Sequence, residues 1–178
     1  MKTRRDGDTI VITLGSGEAV VLRHALMSVA SAYRTSPDKI DPRTGAVWYS
    51  TRGCRAADMS AEDAAEWIGQ MHAFKSENLS LIDGWLRQLA KRTSRRTVLA
   101  LMLGHADAFV RVLNDHRLRA AAENDIGQDE MDLRDLGAAE ELEPQRQTAL
   151  IEIHFLAWII EEILRLTAPD ATRWGDLA

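Results

Sequence analysis

Apolar positions are densest between Gln147 and Thr167, where TALIEIHFLAWIIEEILRL is apolar on nearly every side of a helix. Glu152, His154, Glu161, Glu162 and Arg165 interrupt it, so no clean run of about 18 apolar residues is left to span a membrane. Such a helix is expected at the centre of a soluble bundle, walled in by others, with Pro144 in its first turn.

Toward the N-terminus the period changes. Thr9 to Leu14, TIVITL, alternates and is β-branched, which predicts a short strand ending at Gly15. Ser16 is the expected N-cap of a first helix over about Gly17 to Arg34, with Leu22, Ala25, Leu26, Val29 and Tyr33 on one face, closed by Ser36-Pro37. Between Pro37 and Met59 helical periodicity is missing, and Ala46 to Thr51, AVWYST, is expected to pair with the first strand.

Ser60-Ala61-Glu62-Asp63 predicts a capping box with Asp in the last position. At about 100° per residue, Ala64, Trp67, Met71, Phe74, Leu81, Ile82, Trp85 and Leu89 stay in phase, which favours one long helix, with Ser76 and Gly84 as the places where it would split. A third helix is expected from near Ser94 to about Ala122, with Val98, Leu99, Met102, Leu103, Ala106, Phe109, Val110 and Leu113 on a broad apolar face.

Charge is segregated along the chain. Residues 123–143 hold nine carboxylates against Arg134, a net −8 that leaves the rest of the chain at about +3 of the total −5. Lys91 to Arg96, KRTSRR, forms a basic corner. The acidic total disfavours a general nucleic-acid binder, and the corner is expected to be a solvated turn with at most weak phosphate contact. With 178 residues, 46% hydrophobic and 28% charged, the composition predicts a mainly α, single-domain bundle of about four principal helices with a minor N-terminal β element. The expected domain is 1–168, including the acidic, mobile 123–143 segment, followed by a 169–178 tail. Cys54 is alone, no secretory leader is visible, and the cytoplasm is the expected compartment.

Phe109-Val110-Arg111-Val112-Leu113-Asn114-Asp115-His116-Arg117-Leu118 and Ile153-His154-Phe155-Leu156-Ala157-Trp158-Ile159-Ile160-Glu161-Glu162-Ile163-Leu164 together resemble the C-terminal half of the bacterial domain-of-unknown-function family 2017. That family has an LND-x-RL segment and an aromatic-rich last helix with W-L-x-x-x-Q-E-x-L character; here Glu161 stands for the Gln. Ser16 to Val29 loosely resembles its first helix. The resemblance implies a mainly helical cytoplasmic protein of no established activity, whose genes often lie beside that of a protease adaptor, a hint of a role linked to regulated proteolysis.

Two polar residues sit on apolar helical faces. Arg117 falls in line with Leu99, Ala106 and Val110, while Glu152 has Phe155, Leu156, Ile159 and Ile163 as its helical neighbours. A buried, unpaired charge costs several kcal/mol. Arg117 and Glu152 are therefore expected to pair, with Asn114 filling a remaining hydrogen bond; this reads first as a register device and second as a binding cluster. The histidines His24, His72, His105, His116 and His154 show neither Glu-x-x-His nor HExxH spacing, so no metal and no cofactor is expected, and the face shared by His154 and Glu161 is read as a polar seam. Gly15-Ser16-Gly17 lacks the third glycine of a phosphate-binding turn, and no catalytic residue is assigned.

These features favour a non-enzymatic helical interaction or adaptor protein, recognising a protein partner or a second copy of itself, with no membrane and no nucleic-acid partner. The alternative is a small-molecule-binding or enzymatic bundle that uses Arg117, Glu152, Asn114 and His116 around an internal pocket.

Overall fold

The computed structural model describes residues 1–50, 59–91, 96–131 and 142–168. Strand β1 (Lys2–Asp6) turns through Gly7–Asp8 into β2 (Thr9–Leu14). Gly7 has φ +59°, a left-handed conformation that a first-position glycine supplies in two-residue hairpins. The turn residues are Gly7-Asp8, and the first strand, KTRRD, is largely exposed and carries no apolar alternation.

Helix α1 (Ser16–Tyr33) follows, then a short 3-10 turn (Pro37–Lys39) and α2 (Pro42–Trp48). The cap of α1 is Gly15 rather than Ser16, and the Glu18 carboxylate accepts from Gly15 N at 2.6 Å. The chain's own carboxylate thus occupies the turn in which a phosphate would sit. The strand expected over Ala46–Thr51 does not form: residues 42–48 are helical. The Asp41 side chain accepts from the amides of Arg43 and Thr44, and Pro42 occupies the first turn. This start signal outweighs the β-branched and aromatic residues that follow.

The capping box at Ser60 is present, its Oγ accepting from Asp63 N at 3.1 Å while Asp63 Oδ2 accepts from Ser60 N at 3.2 Å. One long helix is replaced by two, α3 (Ala61–Ser76) and α4 (Leu79–Ala90). At the break Asn78 Nδ2 donates to Lys75 O, a carbonyl that a continuous helix would use, and Ser76 Oγ ties the end of α3 to Tyr33 O of α1.

The third helix starts later than its apolar face predicts. Residues 97–102 form strand β3 (Thr97–Met102), antiparallel to β2, so the described sheet has the order β1-β2-β3. Thr97, Leu99 and Leu101 are buried while Val98, Ala100 and Met102 are exposed, a period of two that TVLALM hides behind good helix formers. The Gln88 side-chain amide pairs with Ala100, donating to its O at 3.2 Å and accepting from its N at 2.8 Å, which covers part of the strand's free edge. After a 3-10 turn (Leu103–His105) come α5 (Ala106–Glu123), a four-residue α6 (Gln128–Met131) and α7 (Pro144–Thr167).

The central helix is α5, not α7. It packs against α1, α2 and α7, whereas α7 exposes Ile151, Trp158 and Leu164. Ile10, Ile12, Leu99 and Leu101 from the sheet meet Leu22, Leu26, Trp85, Phe109, Leu113 and Ile159 in the main core, with Trp85 edge-on to Phe109 at 4.8 Å between centroids. A smaller cluster of Ala120, Ala121, Ile126, Ala149, Leu150 and Ile153 joins α5 to the start of α7. Part of the acidic segment is ordered there by an ion pair, Arg146 Nη2 to Glu130 Oε1 at 2.8 Å. Most of KRTSRR, Cys54, the acidic stretch 132–141 and the 169–178 tail lie outside the described residues. No described helix is long and apolar enough to cross a membrane.

Candidate functional site

Consecutive residues Asp115 and His116 project from α5 about 100° apart, and each is buried. They reach two different polar clusters. Asp115 Oδ2 accepts from Tyr33 OH at 2.6 Å and from Lys75 Nζ at 2.5 Å, joining α5 to α1 and α3. Trp48 of α2 donates its indole N–H to the Asp115 carbonyl at 2.9 Å, and Lys75 Nζ lies 5.2 Å from the Trp48 ring centroid. Every ionised partner here is neutralised and hydrogen-bonded, the condition under which a buried pair persists. Burial, then the charge of Asp115, pushes the Tyr33 hydroxyl well above the ordinary tyrosine range. Beside it Tyr49 OH meets His72 Nδ1 at 3.0 Å; burial first and Asp115 second push Tyr49 up to about 12, and burial lowers His72.

His116 looks to the other side. Its Nε2 lies 3.1 Å from Glu152 Oε1 on α7, and His24 Nδ1 on α1 approaches the same oxygen to 3.2 Å. The rings of His24 and His116 stand edge to face, 5.9 Å between centroids. Burial pushes the Glu152 carboxyl up, but hydrogen bonding and charge from His116, then from His24, outweigh it and hold the group below the usual carboxylate range. Among the described residues these three donors form the set whose ligand atoms lie within 4.8 Å of one another.

A cavity of about 460 Å³ adjoins this cluster, lined by Glu18, Val20, Val21 and His24 of α1 and by Thr148, Ile151, Glu152 and Phe155 of α7. Both helices pack toward α5, and the space left between them is walled by apolar side chains that the core did not claim. Val20 is 68% exposed and Ile151 50%, so the cavity opens to solvent through an apolar mouth.

Of the three residues expected to bind, only Glu152 reaches this cavity. Its hydrogen-bond partners are the two imidazoles; the guanidinium of Arg117, expected there, donates from Nη1 to Asn114 Oδ1 at 3.3 Å along its own helix. Arg117 keeps the helical phase of Ala106 and Val110 on α5 and is half-buried, but phase alone does not say which helix a side chain meets; Leu99 belongs to β3 and adds nothing to that phase. His154 is half-buried with Nε2 unpartnered among the described residues, Glu161 is exposed, and neither joins the cluster. Sequence reading missed Asp115, Lys75, Tyr33 and His24 as polar partners. Asp115 had a visible signal, since it lies on the helical face of Ala108 and Val112; His24, exposed on α1, had none.

Neither a curated protein nor a solved structure is similar enough to this chain to count as a match. The chain belongs to the family of the domain of unknown function DUF2017, whose model matches residues 1–167.

Proposed function

We propose that this chain is a non-enzymatic binding protein whose ligand, a small molecule with an apolar body, enters the cavity between α1 and α7 and places a polar group against Glu152 and His24. The observation that carries the reading is the cavity itself. Its volume of about 460 Å³ falls within the roughly 300–1,000 Å³ of small-molecule sites. Apolar walls with a few convergent polar groups at one end are the usual chemistry of such sites, the walls supplying affinity and the polar groups orientation. The Asp115 cluster does not compete for this role, because its charges are compensated and sealed.

Titration of the purified chain with a neutral naphthylamine fluorophore tests it. Saturable enhancement at one equivalent, lost in Val20→Glu/Ile151→Glu, is the expected result; no saturable uptake, or uptake unchanged in that variant, would overturn it. A second reading, docking of an apolar segment of a protein partner along the same groove, is favoured by Met27 and Trp158. Each is exposed and lies seven residues beyond a mouth residue, Val20 or Ile151, on the same helical face. An adaptor role, including one in regulated proteolysis, would use that extended stripe. Met27→Glu/Trp158→Glu separates the readings, since it should leave fluorophore uptake intact while abolishing partner docking.

A further inference from the structure

We infer that His24 Nδ1, His116 Nε2 and Glu152 Oε1 form a three-ligand site for a zinc-class divalent cation, with its fourth position open toward the α1–α7 cavity. The donors are of the types that bind zinc, two imidazoles and a carboxylate, and each comes from a different helix. Metal–ligand bonds of about 2.0–2.1 Å place tetrahedral neighbours roughly 3.3 Å apart. The two N–O separations here, 3.1 and 3.2 Å, already match that edge. The remaining adjustment falls on His24, whose side chain is 68% exposed and has room to swing toward His116.

His116 Nδ1 is buried and has no hydrogen-bond partner among the described residues. Coordination through Nε2 replaces that nitrogen's N–H contact to Glu152 and puts the imidazole proton on Nδ1. Binding exchanges two N–H···O contacts to Glu152 for three coordinate bonds and releases no buried charge: the carboxylate stays paired, now with the cation. In the sealed cluster, by contrast, Lys75 already holds Asp115 and excludes a cation.

Three protein ligands and one open position distinguish sites that exchange ligands from closed structural ones. Because His24 and Glu152 also line the cavity, the open position faces a space walled by Val21 and Phe155. The ligand class follows: a molecule with an apolar body and a metal-binding anionic head, such as a carboxylate. This assignment rests on the cavity reading for the ligand's body but not for the metal.

Zinc added to tag-free, metal-stripped protein should bind at one equivalent, and His24→Ala and Glu152→Gln should each weaken binding by about tenfold or more, a loss at least as large as that of a metal site's supporting residues. His24 is exposed, so its replacement leaves the core untouched, and unchanged circular dichroism verifies this. Cobalt should give the intense visible bands of a four-coordinate ion, and octanoate should shift them. No stoichiometric zinc, or zinc retained in both variants, would overturn the site; weak six-coordinate cobalt bands would overturn its geometry, and bands indifferent to octanoate its open position. Failure of zinc binding with fluorophore uptake intact would overturn the metal alone, whereas zinc binding without fluorophore uptake would overturn the cavity reading alone.

Discussion

Asp115 and His116 are neighbours on one helix, yet one belongs to a cluster closed on every side and the other to a cluster that ends in a cavity. Around Asp115 a cation, a phenol and an indole satisfy both the side chain and its carbonyl, and α1, α2 and α3 exclude solvent. Around His116 one imidazole nitrogen lacks a partner among the described residues, a second imidazole is exposed, and the shared carboxylate lines the cavity. Buried polarity is therefore not in itself a sign of function. A cluster whose demands are fully met fixes the register of the helices it joins; one whose demands are partly unmet beside a cavity is where an outside group can add something.

The largest effect should come from breaking the closed cluster. Asp115→Ala leaves the Lys75 ammonium and the Tyr33 hydroxyl buried without their acceptor, and the expected loss is about 3–5 kcal/mol in denaturant unfolding. Lys75→Met/Asp115→Leu should recover more than half of it, because neither charge is then stranded. A loss below about 0.5 kcal/mol, the range of ordinary surface positions, would show that this cluster is as open as the other. Glu152→Gln sharpens the contrast from the other side: it keeps the shape and one acceptor at a half-buried position, so its cost should be about 1 kcal/mol, while its effect on zinc is large.

Alkaline titration probes the seal directly. The chain has two tyrosines, Tyr33 and Tyr49, and both are raised. A phenol whose folded value lies above its unfolded value, about 10, holds its proton longer when folded. Stability is thus complete below pH 10 and falls as pH rises toward the folded values, the Tyr49 contribution being lost by about 12. Tyrosinate absorbance should stay low in the folded protein at pH 10.5 and appear together with unfolding. An early rise corresponding to one tyrosine, with secondary structure retained, would mean that one of the two is solvated.

The elements legible in the sequence were those with strong local signals: β2 from its alternation, α1 and α7 from their apolar faces, and the Ser60 capping box. What failed depended on distant parts of the chain. TVLALM is a helix-forming string made a strand by pairing with β2, some ninety residues earlier, and Ala46–Trp48, the start of AVWYST, is turned into helix by Asp41 and Pro42 just ahead of it. Of the candidate cluster, Glu152 and, in the alternative reading, His116 were named from the sequence, and His24 was not. Periodicity identifies a polar residue on a buried face but not what it meets, and His24 and Glu152 are 128 residues apart, with no ligand spacing to connect them. Motifs such as Glu-x-x-His find metal sites in which one helix supplies two ligands. A site with one ligand from each of three helices leaves no such spacing.

The smallest expected effect decides which partner matters to Glu152. A double-mutant cycle between Arg117→Ala and Glu152→Gln should give a coupling no larger than about 0.5 kcal/mol, the range of sites that act independently. The same cycle between His116→Asn and Glu152→Gln should exceed it, because those groups meet at 3.1 Å and His116 is buried. Single-variant losses cannot make this distinction, since any change at a half-buried position disturbs packing; the cycle cancels that common disturbance. If Arg117 couples to Glu152 as strongly as His116 does, the guanidinium shares the carboxylate in solution. The open cluster would then carry its own countercharge, as Asp115 does, and the difference between the two sides of α5 would disappear.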